Sequence, residues 1–277
     1  MLKECFSHGK THRLTEQIMP RANRHFVSGH LWHITHRCHK REFLLKFARD
    51  RRAWGRWLFE AKKRFGLCVL NYVATSNHVH LLIKDTADGV IGRSIQLIAG
   101  RTGQDYNRRK GRQGAFWEDR YHATAIEGGE HLRRCLVYID LNMVRAGAVT
   151  HPSDWDASGY RELQKPPARY AILDISAAST LCGFNDIATF QAAHRRWIEE
   201  ALRESVEARE PCWSEAIAVG SKSFVEKIQQ ELGSQARYRE VGEAGGAYTL
   251  CEPVNLYTPI FNSKSEALRF NNTVNWE

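Results

Sequence analysis

Residues 67–84 read LCVLNYVATSNHVHLLIK. The first nine, LCVLNYVAT, are an apolar run of strand length that contains β-branched and aromatic residues. Residues 78–84, HVHLLIK, are a second such run, and only a short Ser-Asn break separates the two. Strands this close in sequence pair as a tight antiparallel hairpin. Within the second strand His78 and His80 stand at i and i+2, so they share one face while Val79 turns to the other, toward the core.

Upstream, residues 26–36 (FVSGHLWHITH) alternate as a strand does. In residues 46–65 the positions Phe47, Ala53, Trp54, Trp57, Leu58, Ala61 and Phe65 make a helical stripe, and Gly66 is its stop. Downstream, DTADG is a loop. A helix is predicted over Val90–Arg109, with Ile91, Ile95, Ile98, Thr102 and Tyr106 on one face and the basic run RRKGR at its end. GAFWEDRYHATAI (114–126) has strand alternation, and a further helix runs from Glu130 to Ala146, stopped by Gly147.

The order strand, helix, strand, strand, helix, strand, then an extra helix is the split βαβ pattern. The fold class it predicts is α+β: a ferredoxin-like βαββαβ antiparallel sheet with an added helix, followed by a mostly helical extension. Residues 1–24 are polar and basic without periodicity, an expected flexible arm. The boundary after the main domain (25–165) is set by the turn-rich HPSDWDASGY and QKPPARY, and residues 166–277 form the extension. There Ile187, Phe190, His194, Trp197 and Ala201 make one amphipathic stripe. SKSFVEKIQQELG carries a capping box, Ser223 to Glu226, with Gly233 as its stop. Two short helices around Gly220 are compatible with a helix-turn-helix.

Charge divides the chain unevenly. Residues 1–150 hold 27 Lys and Arg against 13 Asp and Glu, and residues 151–277 hold 13 against 18, which together make the net +9. A basic first half fits a polyanionic partner, nucleic acid first, as well as a solvated basic surface. The seven cysteines are odd in number and form no CxxC pair, which argues against a zinc cage or a disulfide framework. No stretch has the length and apolarity of a membrane span, and the N-terminus has no signal-like apolar core, so a cytoplasmic protein without membrane partners is expected.

The chemistry-bearing residues fall in two groups. The pair His78 and His80 can hold a divalent metal through one nitrogen each, although HxH pairs also occur as plain surface residues. Tyr138 and Asn142 are one helical turn apart and share a face with His131, Arg134 and Arg145. Leu132, Cys135, Leu136, Ile139 and Met143 form a separate apolar stripe, which leaves Tyr138 off the core side. A tyrosine whose hydroxyl caps a neighbour fits that position, and so does a nucleophile. A phenol, with a pKa of about 10, attacks phosphate only where cations or a metal favour the phenolate.

TSNHVHLLIK (75–84) together with YIDLNMVRAG (138–147) resembles the tyrosine transposases of the IS200 type, and more narrowly the REP-associated tyrosine transposases, within the single-tyrosine HUH nucleases. The resemblance covers roughly residues 20–165. It implies that His78 and His80 bind the metal, that Asn142 is the third ligand, and that Tyr138 is the nucleophile. It further implies Mg2+ or Mn2+, cleavage of single-stranded DNA beside hairpin-forming palindromes, a 5′-phosphotyrosine intermediate and a free 3′-hydroxyl. Where the family commonly has Asn-Pro after the tyrosine, this chain has Asn142-Met143.

Tyr121, in WEDRYHAT, is the second candidate nucleophile. Arg108, Arg109, Lys110 and Arg112 are expected on the DNA backbone, with Arg120, Arg134 and Arg145 as further contacts. His30, His33, His36 and His39 fit no single face and read as phosphate-facing or incidental. Trp32 and Trp117 suit core packing or base stacking. Monomer and homodimer are both compatible with the sequence. The rival functional readings are a catalytically silent DNA-binding protein on the same fold and an RNA-binding one, the latter without an RNP-type aromatic pattern.

Overall fold

The computed structural model describes residues 29–204 and 210–251. The predicted arm, 1–24, and the first residues of the predicted strand 26–36 lie outside them. The hairpin forms as expected: β2 (Cys68–Ala74) pairs antiparallel with β3 (His78–Lys84). Thr75 closes the turn, its backbone N–H donating to the His78 carbonyl at 2.9 Å. β1 (Leu31–Arg37) lies between β3 and β4 (His122–Ile126), antiparallel to both.

Helix α1 (Ala48–Phe65) links β1 to β2, and α2 (Val90–Lys110) links β3 to β4. The order β2-β3-β1-β4 with these two crossovers is the ferredoxin-like arrangement. Trp54, Leu58 and Ala61 of α1 and Ile91, Ile95 and Ile98 of α2 are buried, and Gly66 ends α1 with φ 72. Phe47, placed on the buried stripe by periodicity, is 58% exposed because α1 starts only at Ala48.

The other face of the sheet carries α3 (Glu130–Asp140), α4 (Asn142–Arg145), α5 (Tyr160–Gln164), α6 (Ile175–Leu181), α7 (Ile187–Arg203) and α8 (Cys212–Glu215), with α3 and α6 against β2 and α8 against β1 and β4. The single helix predicted over 130–146 is thus two, parted at Leu141 (φ −79, ψ 2). The strand expected over 114–126 shortens to 122–126. Trp117 draws the preceding segment toward α2 by donating its indole N–H to the Ala99 carbonyl at 3.0 Å.

The extension has more helix than strand, but it also continues the sheet. β5 (Ala218–Gly220) runs parallel to β4, and past α9 (Lys222–Leu232) the strands β6 (Glu240–Ala244) and β7 (Ala247–Cys251) complete the order β2-β3-β1-β4-β5-β7-β6. Trp213, Val219, Val225 and Leu250 join the same apolar core as the first four strands. Gly220 therefore ends a strand and not the turn of a helix-turn-helix; a Cβ there would lie 2.5 Å from Phe224 Cδ1. Ser221, not Ser223, caps α9, accepting from the Phe224 N–H at 3.3 Å. No helix among the described residues is long and apolar enough to cross a membrane.

Candidate active site

The parity of the sheet decides which side chains meet. Thr35 pairs with His80 and Arg37 with His78, so His33, Thr35 and Arg37 share the face of the two histidines. Val79 and Leu81 turn the other way, toward Trp54, Ile95 and Ile98. Above the histidine face lies a cavity of about 980 Å3, lined among others by His78, His80, Tyr138, Asn142, Arg145 and Arg120.

Hydrogen bonds set the tautomers. The Asn77 amide nitrogen donates to the Arg41 carbonyl (3.2 Å), so its Oδ1 faces His78 Nδ1 at 2.7 Å. The proton of a neutral His78 then sits on Nδ1, leaving Nε2 unprotonated. Thr75 Oγ1, 3.0 Å from the same Nδ1, gives its own proton to the His78 carbonyl. His80 is buried, 3% exposed at the cavity wall. Burial, then the neighbouring His78 and His33, hold its pKa well below the usual value. Its Nδ1 meets His33 Nε2 at 2.9 Å and its Nε2 meets Asn142 Nδ2 at 3.1 Å.

Tyr138 sits beside this pair, its ring centroid 5.8 Å from that of His80, 6.0 Å from that of His33 and 6.2 Å from that of Trp213. It is only 5% exposed, so it is not off the core side as its helical position had indicated. The split of the helix at Leu141 and the added layer of α8 close around it. Arg145 places its guanidinium 4.4 Å from the Tyr138 ring centroid and donates to the Tyr138 carbonyl. Between Tyr138 and Asn142, Asp140 points into the protein, accepting from Asn71 Nδ2 at 3.0 Å and lying 2.9 Å from His194 Nε2 of α7.

Residues 26–142 match the family model described as "Transposase IS200 like". Over these residues, less than half of the chain, the protein is similar to the IS200-like transposases. The matched segment ends at Asn142, so α5 to α9 and β5 to β7 lie beyond it. Among solved structures, the chain is similar to a REP-associated tyrosine transposase bound to a REP hairpin (20% identity, 57% of this chain and 96% of that one, TM-score 0.45). It is also similar to a Deinococcus radiodurans R1 protein described as a transposase candidate (16% identity, 47% and 98%, TM-score 0.31). No curated protein sequence matches at significance.

The fold scatters the seven basic residues expected on DNA. Arg120 and Arg145 line the cavity with the histidines, joined by Arg37 and Arg41, which the sequence had not singled out. Arg108 and Arg109 line a separate groove of about 920 Å3 between α1 and α2, where Arg49, Arg52 and Arg56 of α1 also stand. Arg109 pairs with buried Asp50 and Arg108 with Asp105. Lys110 lies over the Phe47 ring, and Arg112 holds Asn107 Oδ1 and the Ala115 carbonyl. Arg134 is occupied by the β6–β7 turn, donating to the Gly245 carbonyl at 2.6 Å.

Tyr121 packs edge-on to His36 at 6.2 Å, and His36 stacks on Trp117 at 4.1 Å. His30 pairs with Glu231. His33, read as phosphate-facing or incidental, is fully buried against His80, a relation that follows from the β1–β3 register and not from sequence spacing. No cluster of three or more His, Cys, Asp or Glu suited to a metal exists among the described residues. The candidate donor set is two imidazoles and an amide.

Proposed function

We propose that this transposase domain cleaves and rejoins single-stranded DNA at hairpin-forming palindromic repeats through a phosphotyrosine on Tyr138. The observation that carries the reading is the convergence of Tyr138, Asn142, His78 and His80 on one cavity, with the Nδ1 atoms of both imidazoles engaged by neighbouring side chains. Such a set suits Mg2+ or Mn2+: two nitrogen donors, an amide oxygen reached by turning the Asn142 side chain, and open positions for phosphate and water. His78, His80 and Asn142 would hold the divalent ion, which would supply Lewis-acid polarisation of the scissile phosphate.

The rest of the work falls to the chain. Arg145 sets its guanidinium against the Tyr138 ring, a positive charge beside the attacking group. Tyr138 Oη attacks phosphorus, the bond from phosphorus to the 3′-oxygen breaks, and that oxygen takes up a proton as the free 3′-hydroxyl. The 5′-phosphate stays on the tyrosine. Attack on it by a 3′-hydroxyl releases the phenol, and the phosphodiester is restored without an external energy source. Arg37, Arg41 and Arg120 at the cavity wall offer positive charge to the strand's backbone.

The test is to incubate the protein with hairpin-bearing single-stranded DNA and Mn2+ and to resolve protein–DNA adducts on a denaturing gel. Wild type should form an adduct that EDTA prevents, and Tyr138→Phe should form none. An adduct with Tyr138→Phe would move the nucleophile elsewhere. Metal-independent hairpin binding without any adduct would support the silent DNA-binding reading instead.

A further inference from the structure

We infer that His33 is a positioning residue: held by the backbone carbonyl of Trp213, it fixes the His80 imidazole as its Nδ1–H tautomer and so presents an unprotonated Nε2 to the cavity. One line of hydrogen bonds fixes the protons. The Trp213 carbonyl can only accept, and it lies 2.6 Å from His33 Nδ1. His33 Nδ1 therefore carries a proton. His33 is fully buried, and its hydrogen-bond partners among the described residues are a carbonyl and another imidazole, neither of which balances a cation. A buried unpaired charge is disfavoured, so the ring is neutral and its Nε2 accepts. The group 2.9 Å away, His80 Nδ1, must then donate. His80 Nε2 is left as a lone pair, and the Asn142 amide nitrogen at 3.1 Å is the donor that meets it.

The relay also gives the segment beyond the matched domain a task at the site. Trp213 belongs to α8, outside residues 26–142. It is anchored there. Its indole N–H donates to Glu210 Oε2 at 2.9 Å, and Arg134 lies over its ring at 5.6 Å. A few residues on, the Ala216 carbonyl accepts from the Thr124 hydroxyl at 2.6 Å, tying the same stretch to β4. The carbonyl that orients His33 is thus held by the extension against the sheet. Outer hydrogen bonds of this kind keep a ligating imidazole in one tautomer and orientation, and losing them weakens metal binding about 10–100-fold.

The consequence for metal binding rests on the proposed function; the tautomer does not, and two measurements separate them. The first is a long-range 1H–15N correlation spectrum of the metal-free protein, which reads the His80 tautomer directly. The second is Mn2+ affinity by electron paramagnetic resonance. Wild type should show His80 with its proton on Nδ1. His33→Phe should lose that preference and bind Mn2+ about 10–100-fold more weakly. His33→Gln should restore both, because its amide can donate to the Trp213 carbonyl and accept from His80 Nδ1 in the same order. A wild-type His80 protonated on Nε2 overturns the inference even if His33→Phe fails to fold. So does a folded His33→Gln as weak as His33→Phe, or a His33→Phe with wild-type Mn2+ affinity. A wild type that binds no Mn2+ yet keeps the Nδ1–H tautomer contradicts the metal reading and supports the relay.

Discussion

The side-chain nitrogen of Asn142 lies 3.1 Å from Nε2 of His80, although 62 residues separate them in sequence. This contact joins the first turn beyond Tyr138 to the histidine strand and makes the tyrosine and the imidazoles one unit. For the proposed cation, the amide would turn over to offer its oxygen. Asn142→Leu, of similar size but without a donor atom, should weaken Mn2+ binding by about 10-fold or more while leaving the fold intact. Asn142→Asp should bind Mn2+ more tightly than wild type, because a carboxylate is the better ligand for that ion. Isothermal titration with MnCl2 checks both, and equal affinities for the three proteins would remove Asn142 from the site.

Acid should destabilise the protein in a defined window. Burial lowers the His33 pKa from 6.5 to about 4, and it lowers that of His80 in the same direction. Between those limits the unfolded chain binds protons that the folded chain refuses, so stability is full above about pH 6.5 and falls as the pH drops toward 4. For His33 alone the loss amounts to roughly 3 kcal/mol, at 1.36 kcal/mol per pKa unit. Urea unfolding in EDTA at pH 7 and pH 5 measures it. His33→Gln should flatten the slope, and an unchanged slope in that variant would assign the acid sensitivity to other groups.

The helix bearing Tyr138 is clamped from behind. Asp140 is buried and accepts from Asn71, and it faces His194 of α7, whose Nδ1 takes a hydrogen bond from Gln164 at 3.0 Å. The Gln164 contact puts the His194 ring proton on Nε2, the side toward Asp140. Asp140→Ala leaves buried Asn71 without its acceptor and removes the carboxylate facing His194, and should cost about 1–3 kcal/mol. Chemical denaturation reads the loss. A loss below 1 kcal/mol would mean that the cluster does not hold α3 in place.

Two sets of arginines should behave differently toward DNA. Arg49, Arg52 and Arg56 are exposed on one side of α1 and have no ion pair among the described residues, whereas Arg134 is held by the β6–β7 turn. Each alanine substitution in the first set should weaken DNA binding alike for all sequences and reduce the salt slope by about 1. Arg134→Ala should lower the melting temperature and leave the salt slope unchanged. Binding isotherms at several NaCl concentrations distinguish the two, and an Arg134→Ala slope as reduced as that of the α1 variants would return Arg134 to the DNA-contacting set.

Much of the first domain was legible because its signals are local. The β2–β3 hairpin, the stripe of α1 and the Gly66 and Gly147 stops follow from periodicity and backbone freedom within a few residues of each other. The strands of the extension were not legible. β5 is three residues long and fully buried, so it has no alternation to show, and it exists because β4 and β7 flank it. β6 is largely exposed and is held by β7 alone. At the site, His78 and His80 were readable from their spacing. His33 was not, because its meaning depends on the register of β1 against β3 and on a carbonyl contributed from position 213. Tyr138 looked peripheral on a lone helix because α8 and its Trp213 are absent from any local pattern.

The central claim is that Tyr138 is the atom donor to DNA phosphorus. The direct measurement is mass spectrometry of the trapped adduct after reaction with a hairpin-bearing single strand and Mn2+, nuclease trimming and proteolysis. A nucleotide phosphate mass on the peptide containing Tyr138, localised to that side chain by fragmentation, is the predicted result. The same mass on Tyr121 or on any other residue, with Tyr138 unmodified, would contradict the account.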